Sequence, residues 1–179
     1  MELHGYHGTD NSSAKDIIEQ QNIKPSEGLD EWLGKGRYFF VCFKDATWWC
    51  QQRRYPNPKV VLAHFHFENK IIDLVSDIDD QKYFYQYCDR VKNMSEKLPE
   101  PFNRRRRNYM QLAMEKLLKD AKNAHIQIDA TKALFLENRK FWNFSSGERW
   151  KFPCIIAQVQ ICVYNKDSIK SLELCEEAM

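Results

Sequence analysis

The chain reads as α+β, with strands gathered at its two ends and helices in the middle. Three observations predict this class. Strongly β-prone apolar runs lie at 37–43, 60–67, 155–164 and 169–174. Apolar residues recur at helical spacing between them, in Tyr83, Phe84, Tyr87, Cys88 and Val91 and again in Leu112, Ala113, Leu117 and Ala121. No internal repeat or low-complexity linker divides the 179 residues, so 1–179 is expected to be one domain with its own core.

The elements follow in order. Residues 3–7 suit a short strand that enters a His-Gly turn. Ser12 or Ser13 then caps a helix over 13–21, whose Ala14, Ile17 and Ile18 make the apolar face. Pro25, Gly28 and Gly34 mark 22–35 as loop. The run Arg37 to Phe43 is a buried strand, and 44–52 a short helix carrying Trp48 and Trp49. Pro56 and Pro58 break the chain before the strand over 60–67, where Ala63 to Phe67 alternates, and 70–75 is a further short strand. Pro99 and Pro101 separate two helices of a mainly helical stretch over 78–150. Ala133 to Leu136 is apolar without a clear period, and 144–148 is loop. The chain closes on strands at 155–164 and 169–174.

Composition excludes some classes. A hydrophobic content of 43% with 13% aromatic residues is globular rather than disordered, and the net charge of +2 is too small to argue for nucleic acid by bulk charge. The apolar runs are too short to span a membrane, and the first residues do not resemble a signal peptide, so no membrane partner and a cytoplasmic location are expected. Six cysteines without a Cys-x-x-Cys pair suit reduced, buried thiols and no metal site. His64 and His66 share a strand face at a spacing that can hold a metal, but no third ligand is near in sequence, which favours a structural or surface role.

Glycine is scarce and concentrated. Five of six glycines (Gly5, Gly8, Gly28, Gly34 and Gly36) lie in the first 36 residues, around His7 and Tyr38. Such clustering suits a place where backbone approaches something closely. The segments are His7-Gly8-Thr9, then after a helix Gly34-Lys35-Gly36-Arg37-Tyr38-Phe39, then Asp45-Ala46-Thr47-Trp48-Trp49-Cys50. In order and spacing they resemble the ADP-ribosyltransferase superfamily, in its branch of diphtheria toxin and the poly(ADP-ribose) polymerases. Gln160-Ile161-Cys162-Val163-Tyr164 is similar to the last catalytic strand of that family, which commonly begins Glu-Tyr-x-Val-Tyr. The likeness covers the two ends of the chain and leaves about 78–150 unmatched, as a helical insertion special to this lineage.

The resemblance implies two packed, mostly antiparallel sheets and NAD as substrate without a metal; Gln160, where chain elongation would want a carboxylate, favours transfer of single ADP-ribose units over polymer synthesis. It implies a role for each matched residue. His7 and Thr9 bond hydroxyls of the dinucleotide, Gly8 grips the nicotinamide amide through backbone, and Gly36 lets the chain approach. Tyr38 stacks on the nicotinamide ring with Trp49 as the opposite face. An aromatic face over a cation contributes roughly 0.5–2 kcal/mol. Gln160 bonds the nicotinamide ribose. It departs from the family's glutamate, and an amide can neither stabilise a sugar cation by charge nor take a proton. Ala46 departs from a serine that bonds nicotinamide. Glu148, in the loop before the last strands, is the candidate for the missing carboxylate.

A compact member of this family resembles a bacterial or phage-defence toxin, which implies an antitoxin or immunity partner, or else a regulatory modifier. The acceptor is a protein or a nucleic acid. Arg104-Arg105-Arg106-Arg107, flanked by Phe102 and Tyr109, is a candidate nucleic-acid contact as well as a plain solvated face. Two other readings stay open. Gln160 and Ala46 favour a module that binds NAD or ADP-ribose without turnover. An RNA 2′-phosphotransferase shares the fold and the His-Gly-Thr turn, but the Arg-His-x-x-Arg set it depends on is not found here.

Overall fold

The computed structural model describes residues 2–26, 28, 31–96, 109–138 and 155–175. In chain order the elements are β1 (Glu2–Asp10), α1 (Asn11–Gln20), β2 (Arg37–Phe40), α2 (Phe43–Arg53), β3 (Pro58–His66) and β4 (Lys70–Asp73). Then come α3 (Ile78–Glu96), α4 (Tyr109–Asn123), β5 (Ile128–Asn138), β6 (Ile155–Val163), a 3-10 turn at Lys166–Ser168, and β7 (Ile169–Leu174). The fold is α+β, a mixed seven-stranded sheet with four helices among the described residues.

The strands run in the order β4-β5-β6-β2-β1-β3-β7 within one hydrogen-bonded sheet, where two packed sheets were expected. Neighbours are antiparallel except β4 and β5. That parallel pair needs a crossover, and α3 and α4 lie within it. The sheet is nevertheless nearly divided. β1 pairs with β3 along its whole length, from Glu2 opposite His66 to Asp10 opposite Pro58, yet meets β2 only at Tyr6 opposite Phe40. A seam therefore runs between a β4-β5-β6-β2 half and a β1-β3-β7 half.

Alternation along β2 assigns the faces. Phe39 joins Ala14 and Ile17 of α1 and Val61, Ala63 and Phe65 of β3 in one core. Tyr38 points to the opposite face, against Leu33 and the Ala113, Met114 and Leu117 stripe of α4. Phe40 packs there with Ala46 of α2 and Val60. Gly8 is where α2 rests on β1, because a Cβ would stand 2.4 Å from the Ala46 carbonyl oxygen.

β1 runs on to Asp10 and β2 stops at Phe40, against the 3–7 and 37–43 read from sequence, and two further differences have a clear cause. The first helix starts at Asn11, since the Asp10 carboxylate, rather than Ser12 or Ser13, caps it by accepting from the Ser12 and Ser13 amides at 2.9 and 3.0 Å. The stretch over 78–150 also contains β5, an eleven-residue strand paired to both β4 and β6. Its buried side chains include Asp129 and Thr131, which hide the apolar signature of a central strand. Asp129 accepts from the Glu68 and Asn69 amides and from the Asn69 and Asn165 side chains, which ties the β3–β4 turn to the end of β6.

Candidate functional site

A cleft of about 310 Å3 lies along the seam. His7 and Gly8 of β1 line one side, Tyr38 and Phe40 of β2 and Gln160 of β6 the other, and Trp48 and Trp49 of α2 close it. Its size is that of a small-molecule site.

His7 bridges the seam where the backbone ladder stops. Its Nδ1 lies 3.0 Å from the Tyr38 carbonyl oxygen. A carbonyl only accepts, so Nδ1 carries the proton and Nε2 is an acceptor. Burial lowers the imidazole below its ordinary value of 6.5, and the bond to Tyr38 offsets part of that. His7 is therefore a neutral group with a lone pair to offer. Its ring stands edge-on to Phe39 at 5.9 Å between centroids.

Tyr38 lends its ring to the cleft, while its hydroxyl is committed elsewhere. It accepts from the Leu33 amide at 3.1 Å and donates to the Gly34 carbonyl at 2.7 Å. Burial pushes the phenol well above its usual range, and the nearby Cys162 and Glu31 push the same way. The oxygen is thus no acid or base near neutrality, and the ring is fixed in place. Cys162 beneath it is pushed up to about 12 by burial and is inert as a nucleophile.

Gln160 is buried and accepts from the Trp32 indole nitrogen at 3.1 Å through Oε1. An indole N–H can only donate, so the amide orientation is settled and Nε2 is the group left to donate. Trp32 belongs to the loop before β2. That loop also brings Glu31 into the lining, with the Ser26 hydroxyl donating to Glu31 Oε1. Positive charge comes from Lys24 and from Arg53, whose guanidinium sits 4.5 Å from the centroid of Trp49.

Of the residues singled out from sequence, His7, Gly8, Tyr38, Trp49 and Gln160 gather around this cleft. Trp48 does too. Thr9 and Gly36 do not line it. Thr9 is buried, and its carbonyl takes the Cys50 thiol. Gly36 is packed where a Cβ would stand 2.4 Å from the Cys162 sulfur, so strand packing explains this glycine. Ala46 is fully buried under β1. Glu148 and Arg104-Arg105-Arg106-Arg107 lie outside the described residues. His64 is exposed and bonds Glu173 at 2.7 Å, and among the described residues no three His, Cys, Asp or Glu side chains converge as a metal site. Sequence reasoning missed Glu31, Trp32, Lys24 and Phe135 of β5. The proximity of Glu31 and Trp32 to the Gly34-Lys35-Gly36 segment was the one local signal for them.

No family model matches the chain. It is 31% identical over 184 residues to a protein of Methanocaldococcus jannaschii named uncharacterized protein MJ0359, with 94% of this chain and 85% of that protein covered. The chain belongs to the family of that protein, whose name assigns no activity. No helix of the described residues is long and apolar enough to cross a membrane.

Proposed function

We propose that the protein is a mono-ADP-ribosyltransferase that binds NAD in the seam cleft and passes ADP-ribose to a protein or nucleic-acid acceptor. The observation that carries this reading is the meeting of His7, Tyr38 and Gln160, from three strands and both ends of the chain, around one cleft. The near division of the sheet at Tyr6 and Phe40 supports an ADP-ribosyltransferase-like fold, because its halves stand close to the two-sheet arrangement the resemblance implies.

The residues present fit the dinucleotide. Tyr38 and Trp49 offer aromatic faces to a cationic ring. His7 Nε2 accepts from a ribose hydroxyl, and Gln160 Nε2 donates to an oxygen of the same sugar. Such neutral bonds contribute about 1 kcal/mol each. Lys24 and Arg53 suit the diphosphate. The five described cysteines are unpaired, which suits a reducing compartment such as the cytoplasm, where a toxin with an immunity partner or a regulatory modifier would act.

A second reading, a binder without turnover, is favoured by the neutral Gln160 amide and the buried Ala46. The test is mass spectrometry of host protein and nucleic acid after expression of wild type, His7→Ala and Tyr38→Ala. ADP-ribose attached to a defined acceptor, and lost in both variants, is the expected result. Bound NAD with no labelled acceptor supports the binder instead.

A further inference from the structure

We propose that Glu31 is the catalytic carboxylate of the cleft, in place of the acid that β6 lacks at Gln160. The inference rests on the transferase reading above. Gln160 directs Oε1 at Trp32 and presents Nε2, so position 160 offers a donor and no charge. The opposite chemistry stands one residue before Trp32. Glu31 lines the same cleft, and the Ser26 hydroxyl engages Oε1, so that among the described residues Oε2 is left for a ligand.

Its position is braced by the fold. The Glu31 carbonyl accepts from the Gly34 amide at 2.8 Å, closing a turn that ends on Gly34 at φ +80°, a conformation glycine adopts without strain. Sheet side chains fasten this turn from three directions. The Tyr38 hydroxyl holds Leu33 and Gly34, the Tyr164 hydroxyl donates to the Leu33 carbonyl at 2.9 Å, and Gln160 holds Trp32. A catalytic group on a loop acts well only when its support is rigid, and this loop has that support.

In hydrolysis of NAD, the bond from ribose C1′ to the nicotinamide nitrogen breaks. Both electrons go to the nicotinamide, which leaves neutral. Positive charge develops on the sugar, and the Glu31 carboxylate stabilises it. Water oxygen then bonds C1′, and its proton passes to Glu31 and on to solvent. With a macromolecular acceptor, the acceptor nucleophile takes the place of water.

The test uses the full chain and compares wild type, Glu31→Gln, Gln160→Glu and the double variant. Nicotinamide release at saturating NAD, NAD affinity by calorimetry, and the melting temperature are measured for each. Glu31→Gln keeps an acceptor for Ser26, so affinity should change little while kcat falls about 10²–10⁴-fold, the loss typical of a missing acid–base group. A carboxylate at 160 can still accept from Trp32, so the folded double variant should recover part of that loss. Wild-type kcat in Glu31→Gln, or no recovery in a folded double variant, overturns the role of Glu31 and leaves the transferase reading standing. A wild-type protein that neither binds NAD nor releases nicotinamide overturns both.

Discussion

At the scale of single residues, His7 and Tyr38 divide their atoms between holding the fold and lining the cleft. His7 gives Nδ1–H to the Tyr38 carbonyl and keeps Nε2 for the cleft. Because burial lowers its titration below 6.5, the folded state favours the neutral ring. The associated stability is complete above the unfolded value and is lost as pH falls through the lowered folded one. NAD affinity should therefore stay level from pH 8 down to the ordinary imidazole range and weaken only below it. Nitrogen-15 NMR of the ring should show the Nδ1–H tautomer at neutral pH. Tyr38 gives its ring to the cleft and its hydroxyl to the turn before β2. Tyr38→Phe keeps the stacking face but leaves the Leu33 amide and the Gly34 carbonyl without this partner. A loss of about 1–2 kcal/mol in urea unfolding is expected, with weaker NAD binding because Trp32 and Glu31 ride on the same turn. These two residues were legible in the sequence because glycine-rich neighbours mark them. Glu31 and Trp32 were not, since nearness to Gly34 and Gly36 is too slight a signal to separate a loop glutamate that lines the cleft from one in solvent.

At the scale of elements, a short apolar pattern was enough to place the last strand, although neither of its faces is wholly apolar. The alternation of Ile169 to Leu174 matches β7 in both bounds. Pattern failed at β5, whose buried positions hold Asp129 and Thr131 as well as alanines, so that no stripe of large side chains betrays the strand. The polar residues there are nonetheless structural. Burial alone would raise the Asp129 carboxyl, but bonds from Asn165, Asn69 and Glu68 outweigh it and hold the group below its ordinary 3.8. Its contribution to stability is present above that value and lost as pH falls through the lowered folded one. Asp129→Ala should cost on the order of 3 kcal/mol in denaturant unfolding and should flatten the acid limb of the stability curve. An unchanged acid limb would place the acid-sensitive group elsewhere. The glycines obey two different demands. Gly34 is required by its positive φ, while Gly8 and Gly36 are required by α2 and by Cys162 packing against them. Their clustering signalled close approach correctly, but at both Gly8 and Gly36 the approaching body is protein.

At the scale of the whole molecule, the sheet is two halves meeting at one residue pair, and the cleft occupies the gap. The two ends of the chain supply most of its walls, and Phe135 of β5 completes them. A ligand that touches both β1 and β6 should tie the halves together and raise the melting temperature; the stabilisation is set by its concentration over Kd and is about 2.7 kcal/mol at a hundredfold excess. The seam makes the dinucleotide claim open to one direct measurement. NAD labelled in the nicotinamide is incubated with wild-type protein and with His7→Ala, and both retained NAD and freed nicotinamide are counted. Retention and release by wild type, with both lost in His7→Ala, are predicted. A wild-type protein that neither holds nor splits NAD, or a His7→Ala variant that splits it at the wild-type rate, would contradict the account.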